Sequence, residues 1–198
     1  MKHTIYLLAI TVLLFTGCKQ ETKNNMDSNM NHEAHQVEQT NESANKKPLS
    51  PHTSAMAMIG AAHIHIDYSS PGVRGRVIFG GLVGYDNVWQ AGAHKATWIE
   101  TNKALVIAGN TLPAGKYGIF TIPSKGDWTV MINKKWDQHG KDEYDQNDDV
   151  IRFSTSPNIS ENIQEHLEYK VSKTDETKGN ISLAWEKLTI NIPFEVVE

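Results

Sequence analysis

The chain has 198 residues and a mild charge, 19 Lys and Arg against 23 Asp and Glu. That length fits one domain with appendages. The balance argues against a nucleic-acid binder, which needs a concentrated basic field.

In chain order, Met1-Lys2-His3 is a short charged start, and an apolar run from Ile5 to Phe15 follows. Such a run fits the h-region of a signal peptide and is too short to span a bilayer, which takes ~20 apolar residues. It ends in Phe15-Thr16-Gly17-Cys18, small residues before a cysteine, as in a lipobox. Residues 1–17 are therefore expected to be a lipoprotein signal peptide, with Cys18 lipidated as the new N-terminus. The alternative is an ordinary secretory signal with an incidental cysteine. Cys18 is the only cysteine, so an exported domain has no thiol left to mispair. The expected partner is thus a membrane, reached through the N-terminal lipid. Lys19 is not an inner-membrane retention aspartate, which favours the outer membrane.

Residues 18–50 hold the lipidated Cys18 and a polar stretch with few apolar residues and no period, expected to be a disordered tether. Met26, Met30, His32 and His35 within it suit copper chemically, although a chance grouping in a low-complexity spacer reads better.

Composition changes near Pro51, and residues 51–198 read as a single domain. His63-Ile64-His65-Ile66-Asp67-Tyr68 alternates with strand period, placing Ile64, Ile66 and Tyr68 on one face. Further strands are expected at Arg76–Phe79, Thr97–Thr101, Ala104–Ile107, Lys116–Ile122, Trp128–Asn133, Ile151–Ser156, Leu167–Ser172, Ile181–Trp185 and Leu188–Val196. Turn chemistry such as Ser70-Pro71-Gly72 and Lys178-Gly179-Asn180 separates them. Helical turns are expected only near Asp86–Gln90 and Ser160–Glu165. The fold class is all-β, an antiparallel β-sandwich, jelly-roll-like or barrel-like, with at most short helical turns.

Several stretches resemble one bacterial family: Tyr68-Ser69-Ser70-Pro71-Gly72-Val73-Arg74-Gly75-Arg76, Ile78-Phe79-Gly80-Gly81-Leu82-Val83, and Val88-Trp89-Gln90-Ala91-Gly92-Ala93-His94-Lys95-Ala96-Thr97. Leu112-Pro113-Ala114-Gly115-Lys116-Tyr117, Phe120-Thr121-Ile122-Pro123 and Trp128-Thr129-Val130-Met131-Ile132-Asn133 continue the series. Together they resemble the domain-of-unknown-function 2911 family over nearly the whole globular part. The resemblance implies export, often lipidation, and a β-rich domain, without an activity. Gln90, His94 and Lys95 depart from the family's commoner arginine and asparagine–glutamate.

No phosphate loop, dinucleotide fingerprint or nucleophile elbow occurs. His63 and His65 share one strand face and could chelate one ion, with His94 and His139 completing the shell and Asp67, Asp137 or Glu100 as alternatives. The plainer reading has both histidines facing water. The metal would be zinc or copper. Arg74 and Arg76 could fork onto an anion, or Arg76 could instead pair with Asp67 or Asp86 and hold the loop. Trp98, Trp128 and Trp185 read as core. Trp89 and Trp136 sit in loops near His94 and His139, where an indole suits a flat ligand or caps the core. The acidic run from Asp137 to Asp149 lacks calcium-loop order and reads as solvated.

The expected function is a non-catalytic envelope lipoprotein binding a small ligand or metal where the loops bearing Arg74, Arg76, Trp89, His94, Trp136 and His139 converge. Alternatives are a metal-dependent hydrolase or isomerase using His63, His65, His94 and His139, and a protein-interaction module with an exposed tryptophan patch.

Overall fold

The computed structural model describes residues 48–197. The leader, Cys18, and the Met26, Met30, His32 and His35 group lie outside them. Ten strands follow in order: β1 (His52–Ile59), β2 (Ala62–Ser69), β3 (Thr97–Thr101), β4 (Leu105–Ile107), β5 (Asn110–Leu112), β6 (Gly115–Ile122), β7 (Trp128–Asn133), β8 (Asp149–Thr155), β9 (Asn158–Lys173) and β10 (Lys178–Val196). They form two open antiparallel sheets, ordered β1-β2-β3-β6-β7-β8 and β5-β4-β10-β9. The fold is an all-β sandwich, as the alternation implies, and not a closed barrel.

The alternation in β2 sets the layering. Ile64, Ile66 and Tyr68 enter the core, while His63, His65 and Asp67 stay on the outer face. Ile99, Ile119, Val130 and Ile132 join them from neighbouring strands of the six-stranded sheet. They share one cluster with Leu167, Tyr169, Ile181, Leu183, Trp185, Ile190 and Ile192 from the smaller sheet. Each such side chain contributes on the order of 1.5–3 kcal/mol when fully buried. That is ample for a core without disulfides.

The long β2–β3 connection is pinned by aromatics. Phe79 lies edge-on to Trp128 at 4.8 Å, to Trp89 at 5.9 Å and to Trp185 at 6.0 Å. Trp89 stacks on Trp185 at 5.8 Å. A second, smaller cluster lies on the outer face of the six-stranded sheet, where Phe120, Met131 and Ala96 are buried with Tyr144 packed against them. The β7–β8 loop folds back to cover it. Asp149 anchors that loop, taking hydrogen bonds from Asn133 Nδ2 (2.8 Å), Tyr144 Oη (2.8 Å) and Arg152 (3.0 Å). The acidic run is thus a structural cover with a solvated outer side.

Several sequence expectations are corrected. Arg76–Phe79 is not a strand: Arg76 donates to the carbonyls of Val73 (3.1 Å) and Gly72 (2.6 Å), which closes a turn. Asp86–Gln90 forms no helical turn; Asp86 has φ 59° and Trp89 pairs with Thr121 instead. Ser160–Glu165 is part of β9, held extended against β10 by the pair Gln164 with Glu186 and, just before it, Ile159 with Leu188. The one helical turn among the described residues is a 3-10 turn at Gln146–Asp148. Ile181–Trp185 and Leu188–Val196 are one strand, β10, bent at Glu186 (φ 54°) where the register shifts. Strands β1 and β5 were not expected.

Candidate functional site

Six non-glycine residues among the described ones have positive φ, and four of them, Arg74, Asp86, Ala91 and His94, lie between β2 and β3. Backbone held there costs of order 1–3 kcal/mol per residue and persists only where its surroundings over-determine it. Ala91 is fully buried, and its carbonyl accepts from Thr97 Oγ1 (3.0 Å) and from Tyr169 Oη (2.9 Å). The next carbonyl, Gly92, accepts from Trp89 Nε1 (3.0 Å). The His94 carbonyl accepts from the Gly140 amide (2.7 Å), which ties this segment to the β7–β8 loop. Burial pushes the Tyr169 phenol well above its ordinary range, partly opposed by the Thr97 hydroxyl, so Tyr169 stays a neutral donor. Burial likewise raises Tyr68, whose Oη accepts from the Tyr169 amide (3.2 Å).

This rigid segment forms one wall of a cleft of about 360 Å³. Leu82, Val83, Val88 and the edge of Trp89 supply an apolar side. Asn87, Gln90, His94 and Lys141 supply polar groups, and no carboxylate lines the cleft. Its volume falls within the usual range for small-molecule sites, roughly 300–1,000 Å³. An apolar wall beside amides, an imidazole and an ammonium suits a compact molecule with an apolar body and an acceptor or anionic group.

The expected site residues separate into groups. Trp89 and His94 meet at the cleft. Trp89 is buried with its N–H satisfied, so it is a wall and not an exposed stacking platform. Arg76 holds its own loop, and Asp67 pairs with His52 at 2.8 Å, not with Arg76. Arg74 is exposed, with its amide bonded to Glu165 Oε1 (2.9 Å). His139 pairs with Asp142 at 3.2 Å on the surface. Trp136 stands apart on the outer sheet face. It is there with Trp98, which is half-buried and not a core residue, and Lys116 Nζ lies 3.4 Å from the Trp98 ring centre and 4.0 Å from that of Trp136.

Nor does the structure assemble a four-histidine shell. His63 and His65 are neighbours, with ring centres 6.3 Å apart. However, no three His, Asp or Glu side chains come together for one ion among the described residues. Sequence reasoning missed Leu82, Gln90 and Lys141 at the cleft. Lys141 arrives from a distant loop, and no local pattern announces it. Among the described residues no helix is long and apolar enough to cross a membrane.

A family model described as a protein of unknown function (DUF2911) matches residues 50–194. No curated protein and no solved structure matches the chain.

Proposed function

The chain belongs to the DUF2911 family, whose description assigns no activity, and from its site we propose that it is a non-catalytic envelope lipoprotein whose β-sandwich holds a small ligand. The ligand has an apolar body and an acceptor or anionic group, and it sits in the cleft beside Trp89. One observation carries this reading: left-handed backbone at Ala91 and His94 is held beside a cleft whose polar lining includes no acid. Left-handed backbone held by buried hydroxyls at Ala91 and by the Gly140 amide at His94 is consistent with a pre-organised site. The apolar leader ending at Cys18 supports export and a lipid anchor, with two or three acyl chains holding the domain at the outer membrane.

The test is protein purified from its native envelope, with released small molecules identified by mass spectrometry beside an Ala93→Trp variant, whose indole fills the cleft. Wild type should release about one equivalent of a compound that the variant lacks. An empty wild type, or the same compounds from both, would end the ligand reading. Intact mass should show an acylated N-terminus at Cys18; an unmodified chain beginning at Met1 would end the anchor reading.

A further inference from the structure

The β1–β2 hairpin carries a second constellation, none of whose members lines the cleft. Gly60, with φ 54°, takes the first of two turn positions, as a type II′ hairpin requires. That turn fixes the register, which places Met56 opposite His65 and Met58 opposite His63. Directly opposed residues have Cβ atoms about 4.5–5.5 Å apart and share a face. The four side chains therefore form a two-by-two block on the outer face.

Both thioethers face solvent, Met56 at 57% and Met58 at 59% exposure, where no packing demand explains them. Methionine is ordinarily a core filler. Between two imidazoles it becomes a soft donor set. An ion bound to ring nitrogens at about 2.0–2.1 Å lies roughly 3.2 Å from each ring centre, so two rings sharing an ion stand at most ~6.4 Å apart. The His63 and His65 centres are 6.3 Å apart, at the near-linear limit. His65 also lies edge-on to Trp98 at 5.0 Å, which restrains its ring.

We propose that Met56, Met58, His63 and His65 form a binding site for a soft monovalent cation, Cu(I) or Ag(I). Thioether and imidazole donors select Cu(I), whereas carboxylates and waters suit harder ions. The nearest carboxylate in the ladder is Glu100, opposite His65 on β3. Lys116 stands opposite Glu100 on β6, with its ammonium over the Trp98 and Trp136 rings. Two uncharged thioethers and two neutral imidazoles leave a complex of single positive charge, which is cheap to hold at an exposed face.

The experiment uses the full chain carrying Cys18→Ser, so that no thiol competes, titrated with Cu(I) against a chromogenic Cu(I) chelator. Adding Met56→Leu and Met58→Leu, or His63→Gln and His65→Gln, should each remove one bound equivalent while leaving circular dichroism unchanged. Ag(I) should shift the methyl resonances of Met56 and Met58 in the parent. Zn²⁺ should not displace it. Retention of the same stoichiometry and affinity in both double variants would overturn the proposal. So would Met56 and Met58 resonances that Ag(I) leaves in place. Neither result bears on the cleft, because the readouts involve none of its residues.

Discussion

Thr97→Val and Tyr169→Phe together are expected to cost clearly more than the sum of the two single changes. Both hydroxyls donate to one carbonyl, that of fully buried Ala91, at 3.0 and 2.9 Å. A carbonyl has two lone pairs, so either donor alone still satisfies it. Each single change should therefore cost about 1 kcal/mol, the net worth of an ordinary hydrogen bond. Removing both leaves a buried acceptor unpaired, which adds about 1–3 kcal/mol of desolvation penalty. It also releases a left-handed alanine from the groups that hold it. The double variant should then lose roughly 3–5 kcal/mol against about 2 kcal/mol for the sum. Urea unfolding of all four proteins, followed by tryptophan fluorescence, measures the difference. Singles that add to within about 0.5 kcal/mol would refute the clamp, because uncoupled sites behave that way.

Three further outcomes follow from the same structure. His94 is exposed and has φ 62°, so His94→Gly should raise stability by up to ~1 kcal/mol while weakening retention of the cleft ligand; calorimetry and the released-ligand assay read the two separately, and a loss of both would contradict the account. Burial and the hydrogen bond to Asp149 raise the Tyr144 phenol from 10.0 to about 12. A raised pKa means the stability it contributes is complete below pH 10 and lost as pH climbs toward 12, so Tyr144→Phe should lose less stability over that window in urea titrations than the parent. At Gly118, an added Cβ would sit 2.7 Å from the Phe120 ring, 3.2 Å from the Lys135 carbonyl and 3.3 Å from the Trp136 Cα. Gly118→Ala should therefore cost about 1–3 kcal/mol and lift Trp136 from Lys116, visible as a change in tryptophan emission that is absent when Trp136→Phe is present.

How far the fold was legible depended on whether a strand had one wet face. β2 was plain because Ile64 and Ile66 alternate with His63 and His65. β1 was not, since Met56 and Met58 face water while small Ala55 and Ala57 face inward, which inverts the usual contrast. The first half of β9 was also hidden: its residues are nearly all exposed, so hydrogen bonds to β10 and, at Glu165, to Val73 and Arg74 keep it extended rather than burial. The segment between β2 and β3 carries strand-forming residues, but local hydrogen bonds by Arg76 and positive φ at Asp86 and Ala91 turn it into a pinned loop. Trp89 and His94 were recognisable at the cleft from residue type alone. Leu82 and Lys141 were not, because what brings them together is the docking of two loops, visible here as the bond from the Gly140 amide to the His94 carbonyl.

An X-ray structure of the protein purified from its native envelope tests the cleft most directly. Ordered density for a compact molecule between Leu82, Trp89, His94 and Lys141, with Ala91 unchanged in its left-handed conformation, is the result expected. A preparation shown by mass to carry a bound molecule, yet with only water in that space and the density elsewhere, would contradict it.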